Sequence, residues 1–407
     1  MPEDVLVGRQ PIYNEKLDVV AYELLFRGAK SQSTADFTDG DRATSQVILN
    51  TFLEIGLDNI VGPLPAFINL TRAFLVGRHQ LPIQKDRVVL EVLEDIEIDE
   101  EVLVALRALA DRGYTIALDD FVYEHRYKQL IDIADIVKID VLALGRETLR
   151  EHVGFLRHHD VKLLAEKVET QEEFEFCRSL GFDYYQGFFF SKPKTISGQR
   201  VPTNRLAVLQ VLAMVQAPDA DVAKLDREIG KDVSLSYKLL RYVNSSYFQV
   251  PTKIDSIHRA LILLGIDNIR NWVSLIALSG INDKPNYLIL DAMVRARMCE
   301  LLAEAAKRAH RERYFTVGLF SLLDALLDLP MEDILRSLPL SEEIGLALLK
   351  QEGDLGEALC CVLNYEHSDW ESLSYDDLDT HAIKETYLRA IAWAREAITG
   401  LAGIQAA

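Results

Sequence analysis

Cysteine is scarce, with four residues in 407: Cys177, Cys299, Cys360 and Cys361. Their spacing matches neither a zinc site nor a disulfide framework, so they are expected to be buried thiols of a reducing cytosol. Long apolar runs are lacking too. Leu261–Leu264 and Leu319–Leu323 fall far short of the roughly 20 residues that cross a bilayer. Met1 to Gln10 is polar and has no apolar h-region, so no secretory signal is expected and the location is read as cytoplasmic. Positive charge is in deficit: 44 Lys and Arg face 63 Asp and Glu, a formal net charge of −19. Such a surface repels phosphate backbones and anionic lipid, which excludes nucleic acid and membrane surfaces as general partners. A small anionic ligand stays admissible, because a metal ion or one arginine reverses the sign inside a cleft.

What is present suits two folded domains. With 49% hydrophobic and 26% charged residues the chain is not disordered, and its length accommodates two cores of about 200 residues each. Up to about residue 195 short β-rich runs alternate with helical stretches. The predicted strands are Val19–Glu23, Ala66–Leu70, Val88–Val92, Thr115–Asp119, Ile136–Ile139, Lys162–Glu166 and Tyr185–Phe189. Amphipathic segments such as Glu100–Arg112 and Gln171–Leu180 lie between them, the latter closed by Gly181 as a helix C-cap. Repeated strand–helix units imply a largely parallel sheet, and their number suggests a (β/α)8 barrel. An open doubly wound sheet is the main competitor, but no Gly-rich phosphate fingerprint follows the first strand.

Ser191–Gly198 is rich in turn residues and reads as a linker, which sets domains of 1–196 and 197–407. Beyond it strand signals nearly vanish. Helical periodicity runs through Arg205–Gln216, Val222–Ile229, Ser234–Asn244, Ser256–Leu264 and Asp291–Lys307. The fold class is therefore α/β followed by all-α.

The predicted strand ends carry Glu23, Asn69, Glu91, Asp119 with Asp120, Lys138 with Asp140, Glu166 with Glu169, and Gln186. In a (β/α)8 barrel such residues point into one mouth. Carboxylates from several strands repel one another at close range, and divalent cations relieve that repulsion. Hard oxygen donors favour magnesium, manganese or calcium. Two such ions can share a water, acidify it and stabilise in-line attack on phosphorus, with Lys138 orienting the water or neutralising developing charge. The bland alternative for any single acid is a solvated loop. For the whole set, a shared site is the better reading.

These residues also resemble a known family. Gln10-Pro11-Ile12 and Tyr22-Glu23-Leu24-Leu25-Phe26-Arg27 are similar to the opening of the EAL family of cyclic di-GMP phosphodiesterases, with Glu-Leu-Leu in place of Glu-Ala-Leu. Phe67–Leu70, Leu90–Glu94, Leu118–Phe121, Val137–Asp140, Ala165–Glu169 and Tyr185–Gly187 resemble its later motifs in order. The resemblance implies metal ligation by Glu23, Asn69, Glu91, Asp119, Asp120 and Glu166, holding two Mg2+ or Mn2+ ions. It implies catalytic roles for Lys138, Glu169 and Asp140, and dinucleotide contacts from Gln10, Arg27, Gln186 and Pro193, with Glu94 supporting a loop. The implied reaction opens cyclic di-GMP to linear pGpG.

Two departures bear on turnover. Asp-Asp-Phe continues as Val122-Tyr123-Glu124-His125-Arg126-Tyr127, without the glycine and serines of the family's loop, which also serves dimerisation there. Lys167 replaces the usual glycine after Glu166, a cation that either competes with metal for the carboxylates or points to solvent. Weak, conditional or absent turnover is expected, and any homodimer is expected to use a different surface.

The second half resembles the HDOD domain, a helical relative of the HD phosphohydrolases, through Asp232–Ser245, Ile254–Ala260 and Leu263-Leu264-Gly265. The position comparable to the His-Asp pair reads Leu323-Asp324, and His258, His310, His367 and His381 are scattered. The lone His159-Asp160 doublet reads as a surface turn. This half is expected to be a non-catalytic module that binds a signalling protein. Three readings follow: a phosphodiesterase, a metal-independent cyclic di-GMP receptor, and a scaffold without small-molecule function.

Overall fold

The computed structural model describes residues 6–27, 56–76, 84–121, 127–187, 203–217, 219–231, 254–279, 281 and 286–405, with a few positions between 235 and 244. The chain divides into two compact units, Met1–Phe190 with Glu366–Trp370 and Ser191–Tyr365 with Glu371–Ala407. The predicted linker and the boundary at 196/197 lie outside the described residues.

In the first unit eight strands close a barrel in chain order: β1 Leu6–Asn14, β2 Val19–Arg27, β3 Ala66–Leu70, β4 Val88–Val92, β5 Thr115–Leu118, β6 Ile136–Asp140, β7 Lys162–Glu166 and β8 Tyr184–Tyr185. The neighbours from β2 to β8 pair in parallel. β1 is the exception, antiparallel to both β2 and β8. It was not among the predicted strands, because Gly8, Arg9, Gln10 and Pro11 break the apolar pattern that announces one. Pairing with β1, in the register Leu6↔Arg27, also carries β2 to Arg27, four residues past its predicted end. Glu23 is therefore a mid-strand residue. Phe188 and Phe189 of the predicted last strand lie outside the described residues.

Helices between the strands begin and end at side chains suited to the task. Asp99 accepts the Val102 amide and starts Glu100–Asp111, whose Val102, Leu106 and Leu109 form the buried stripe. Thr170 and Glu173 make a reciprocal capping box at Gln171–Leu180, and Gly181 closes that helix in the left-handed conformation at φ +86°.

Among the described residues the second unit contains helices and no strand. Asn286–Ala305 is apolar on most of its circumference and accordingly buried, packing on Arg311–Phe320 and Thr380–Gln405. Trp272, Phe315 and Trp393 form an aromatic cluster with ring centroids 5.7–6.1 Å apart. Cys177, Cys299 and Cys361 are buried free thiols, while Cys360 is half-buried rather than fully so. Among the described residues no helix is long and apolar enough to cross a membrane.

Candidate functional site

The site follows from the two-residue period of a strand. Ile12, Ala21, Phe67, Val89, Ala117, Ile136 and Leu164 form one buried cluster, with Tyr184 packed against it. Each strand contributes one member, so this layer fills the barrel interior. Two residues further along each parallel strand, and two residues back along antiparallel β1, the pleat returns a side chain to the same interior. Those positions are Gln10, Glu23, Asn69, Glu91, Asp119, Lys138, Glu166 and Gln186. An apolar floor is thus covered by a polar layer.

Lys138 sits at its centre, fully buried. Its Nζ lies 2.7 Å from Glu91 Oε1, 2.7 Å from Asp119 Oδ1, 3.0 Å from Glu166 Oε1 and 3.2 Å from Glu23 Oε2. Glu91 Oε1 is held by this ion pair, and Glu91 Oε2 is a buried acceptor without a hydrogen-bond partner. Gln186 donates through Nε2 to Glu23 Oε2 at 2.7 Å and to Gln10 Oε1 at 2.9 Å. Gln186 is thus hydrogen-bonded to both Glu23 and Gln10 within the layer.

Burial pushes the Glu91 carboxyl well above its usual range, and the Glu23 charge adds to the rise against the pull of Lys138. Burial likewise raises Glu166 to about 8. For Lys138 burial acts to lower the pKa, but Glu91, Glu23, Glu166 and Asp119 together outweigh it and keep the ammonium well above its ordinary value.

Asp120 and Asp140 lie outside this inner ring. Asp120 follows β5 with a left-handed backbone at φ +42°, and Asp140 is paired in register with Glu166. Asp140 Oδ1 accepts the amides of Leu142 and Ala143 at 2.8 and 3.0 Å. Its other oxygen accepts from Lys167 Nζ at 2.5 Å. Glu94 is exposed and lines, with Asp119, Asp120 and Phe121, a cavity of about 200 Å3 walled by Val92, Ile96, Leu118 and Leu130. Glu169 is exposed at the start of the helix Gln171–Leu180, its amide donating to Glu173. The Arg27 side chain, Pro193 and the altered segment 122–126 lie outside the described residues.

The donor chemistry fits a divalent cation. Asn69 Oδ1, Asp120 Oδ1, Glu166 Oε2 and Glu91 Oε2 are buried with no hydrogen-bond partner. Unsatisfied hard oxygens at the mouth of a barrel are what Mg2+ or Mn2+ takes as ligands. Among the described residues, however, no three His, Cys, Asp or Glu side chains stand ready around a common ion position. The carboxylates are drawn in on Lys138 instead, so an ion has to be admitted by side-chain rotation away from that ammonium.

Among its described residues the helical unit offers nothing comparable. Leu323 is buried, and Asp324 Oδ1 accepts the Ala325 amide of its own helix. His258, His310, His367 and His381 are all exposed. His159 and Asp160 lie in the bend before β7, with His159 Nδ1 3.1 Å from Asp132.

Position along the strands, more than residue type, was the signal available in the sequence for this layer. What it did not carry is the meeting of four carboxylates at one Nζ, or the left-handed backbone of Lys167.

The family model for the EAL domain matches residues 41–193, and that for the HDOD domain matches residues 201–331. The first match begins after β2, so the placement of Gln10 and Glu23 rests on the barrel itself. The chain is 36% identical over 398 residues to "Cyclic di-GMP phosphodiesterase CdgJ" of Vibrio cholerae, covering 96% of this chain and 92% of that protein. It is 34% identical over 400 residues to "Uncharacterized protein YuxH" of Bacillus subtilis, covering 96% and 98%. A solved manganese and cyclic di-GMP complex of Klebsiella pneumoniae BlrP1 is similar at 24% identity, over 47% of this chain and 56% of that one, with a TM-score of 0.39.

Proposed function

The chain belongs to the proteins in which an EAL domain precedes an HDOD domain, and from that premise we propose that its barrel opens cyclic di-GMP to linear pGpG with Mg2+ or Mn2+. The observation that carries this reading is the polar layer of Gln10, Glu23, Asn69, Glu91, Asp119, Lys138, Glu166 and Gln186 laid over an apolar barrel floor.

Glu23, Asn69, Glu91, Asp119, Asp120 and Glu166 are the residues that would hold the cation. When bound, it supplies charge neutralisation and an acidified water for attack on phosphorus. Every other role falls to the chain. Lys138, kept protonated by four carboxylates, donates toward the attacking oxygen and the developing negative charge. Gln186 fixes the Glu23 carboxylate, and the amides of Leu142 and Ala143 fix Asp140. Gln10, Arg27 and Pro193 are assigned to the dinucleotide, and Glu169 and Glu94 to support at the rim. In hydrolysis the water oxygen bonds to phosphorus as one P–O3′ bond breaks, and the released 3′ oxygen takes up a proton.

Turnover is proposed to be weak or conditional, for the two departures at 122–127 and Lys167. The HDOD domain is proposed to bind a signalling protein: at the position comparable to the His-Asp pair it carries a buried Leu323, which cannot ligate metal, and His258, His310, His367 and His381 are exposed.

The test is to incubate the full chain with cyclic di-GMP and Mn2+, quantify pGpG, and titrate binding in parallel with chelator present. Glu23→Ala and Asp119→Asn are each expected to lower turnover by more than the roughly 10- to 100-fold cost of losing an outer-shell partner. Wild-type rates in either variant would refute the site. Binding without product in the unaltered protein would replace the enzyme by a receptor.

A further inference from the structure

Lys167 has an unusual setting. It follows β7 with a left-handed backbone at φ +55°, a region in which a residue bearing a Cβ is disfavoured and glycine is preferred. Its side chain is half-exposed, yet it does not simply run into solvent. The Nζ lies 2.5 Å from Asp140 Oδ2 and 3.6 Å from Asp120 Oδ2. Asp140 has its remaining oxygen occupied by the amides of Leu142 and Ala143. Asp120 has its remaining oxygen, Oδ1, buried and without a hydrogen-bond partner. The left-handed turn at Lys167 therefore aims an ammonium between two acids at the rim of the polar layer.

The charges sort into two groups. Glu23, Glu91, Asp119 and Glu166 gather on Lys138. Asp120 and Asp140 gather on Lys167. With all six carboxylates ionised, as ligation requires, they exceed the two ammonium groups by four negative charges, the charge of two divalent cations.

We propose that Lys167 is a resident competitor for the outer metal position, so that the chain takes one divalent cation at the inner ring and a second only by displacing this ammonium from Asp120 and Asp140. The inference rests on the metal-dependent reading of the barrel and adds a regulatory consequence to it. Because Lys167 is half-exposed, it can be displaced into water, and the competition is graded. Occupancy of the outer position, and with it turnover, then depends on the free metal concentration over a range in which the inner position is already filled.

The experiment counts bound Mn2+ on the full chain without nucleotide, from the electron paramagnetic resonance signal of the free ion. Lys167→Met removes the charge and keeps a side chain on the left-handed backbone, while Lys167→Gly removes both. Wild type is expected to bind one ion tightly and a second more weakly. In both variants the second ion is expected to bind about thirtyfold more tightly, the effect of one unit charge on a divalent ion at about 4 Å in water. Three identical isotherms would overturn the proposal and leave the metal site intact. A gain confined to Lys167→Gly would also overturn it, because the benefit would then come from the backbone. If none of the three proteins binds Mn2+, the metal-dependent reading falls and the proposal falls with it.

Discussion

Lys138 is a cation that the fold cannot leave in place unchanged if metal is to enter. In the barrel interior its ammonium is the counter-charge for Glu23, Glu91, Asp119 and Glu166, and its own burial is tolerable only because of them. The cost remains on the carboxylates. Burial raises Glu91 well above its usual range and Glu166 to about 8. An acid whose pKa is higher in the fold than in the unfolded chain holds its proton longer when folded. From the unfolded carboxylate value of about 4.3 up to about 8, that group therefore withdraws stability from the metal-free fold as pH rises. A divalent cation requires those same groups ionised, so its affinity rises across that window. The thermal shift produced by a fixed Mg2+ concentration is thus expected to grow from about pH 6 to about pH 8 and then level. Glu166→Gln is expected to flatten the profile. A shift that is constant across pH in the unaltered protein would mean that these carboxylates do not receive the ion. Polar residues recurring at one position along successive strands were enough to nominate this set from sequence, but the meeting of four side chains at one Nζ depends on barrel curvature, which no local pattern encodes.

At the scale of the element, the strand pleat and one close approach decide the site. The alternation is readable because parallel strands buried on both faces are short apolar runs, and polar residues within or just after them stand out. Ala66–Leu70, Val88–Val92 and Lys162–Glu166 have the predicted limits for that reason. β1 has no such run, since its residues near the mouth, Arg9 and Gln10, serve the site layer and the packing on Tyr22. A glycine then holds the last strand to the turn that carries the site. Gly187 has φ +149°, and a Cβ there would lie 2.2 Å from Val168 O and 2.5 Å from Val168 N, while the Val168 amide donates to Gln186 O. Gly187→Ala is expected to force β8 away from the turn bearing Glu166 and Lys167, at about 2 kcal/mol or more. That lowers the barrel's Tm by at least about 5 °C. Gly154, in the helix Arg146–Leu156 with open space around it, provides the contrast. Gly154→Ala is expected to raise stability by about 0.5–1 kcal/mol. Equal effects of the two substitutions, measured by thermal denaturation, would contradict the close approach.

For the molecule as a whole, the two units are built on separate cores, one of barrel strands and one of helices around Trp272, Phe315 and Trp393. Separate cores of this size are expected to unfold in separate transitions. The barrel unit holds the buried carboxylates Glu23, Glu91 and Glu166, whereas the buried polar residues among the helical unit's described residues include no carboxylate. A ligand that binds one folded unit stabilises that unit by RT ln(1 + [L]/Kd), about 2.7 kcal/mol at a hundredfold excess over Kd. Trp272 and Trp393 lie in the helical core while the third tryptophan, Trp370, belongs to the barrel unit, so the Trp370→Phe protein is the one whose intrinsic tryptophan fluorescence reports on the helices. Calorimetry with saturating Mg2+ is therefore expected to move one transition upward while the fluorescence midpoint stays in place. Adding cyclic di-GMP then asks whether occupancy reaches the helical half. A fluorescence midpoint that follows the barrel's transition with Mg2+ alone would show that the two cores melt as one cooperative body. The HDOD domain would then sense metal occupancy directly rather than acting as a separate docking module.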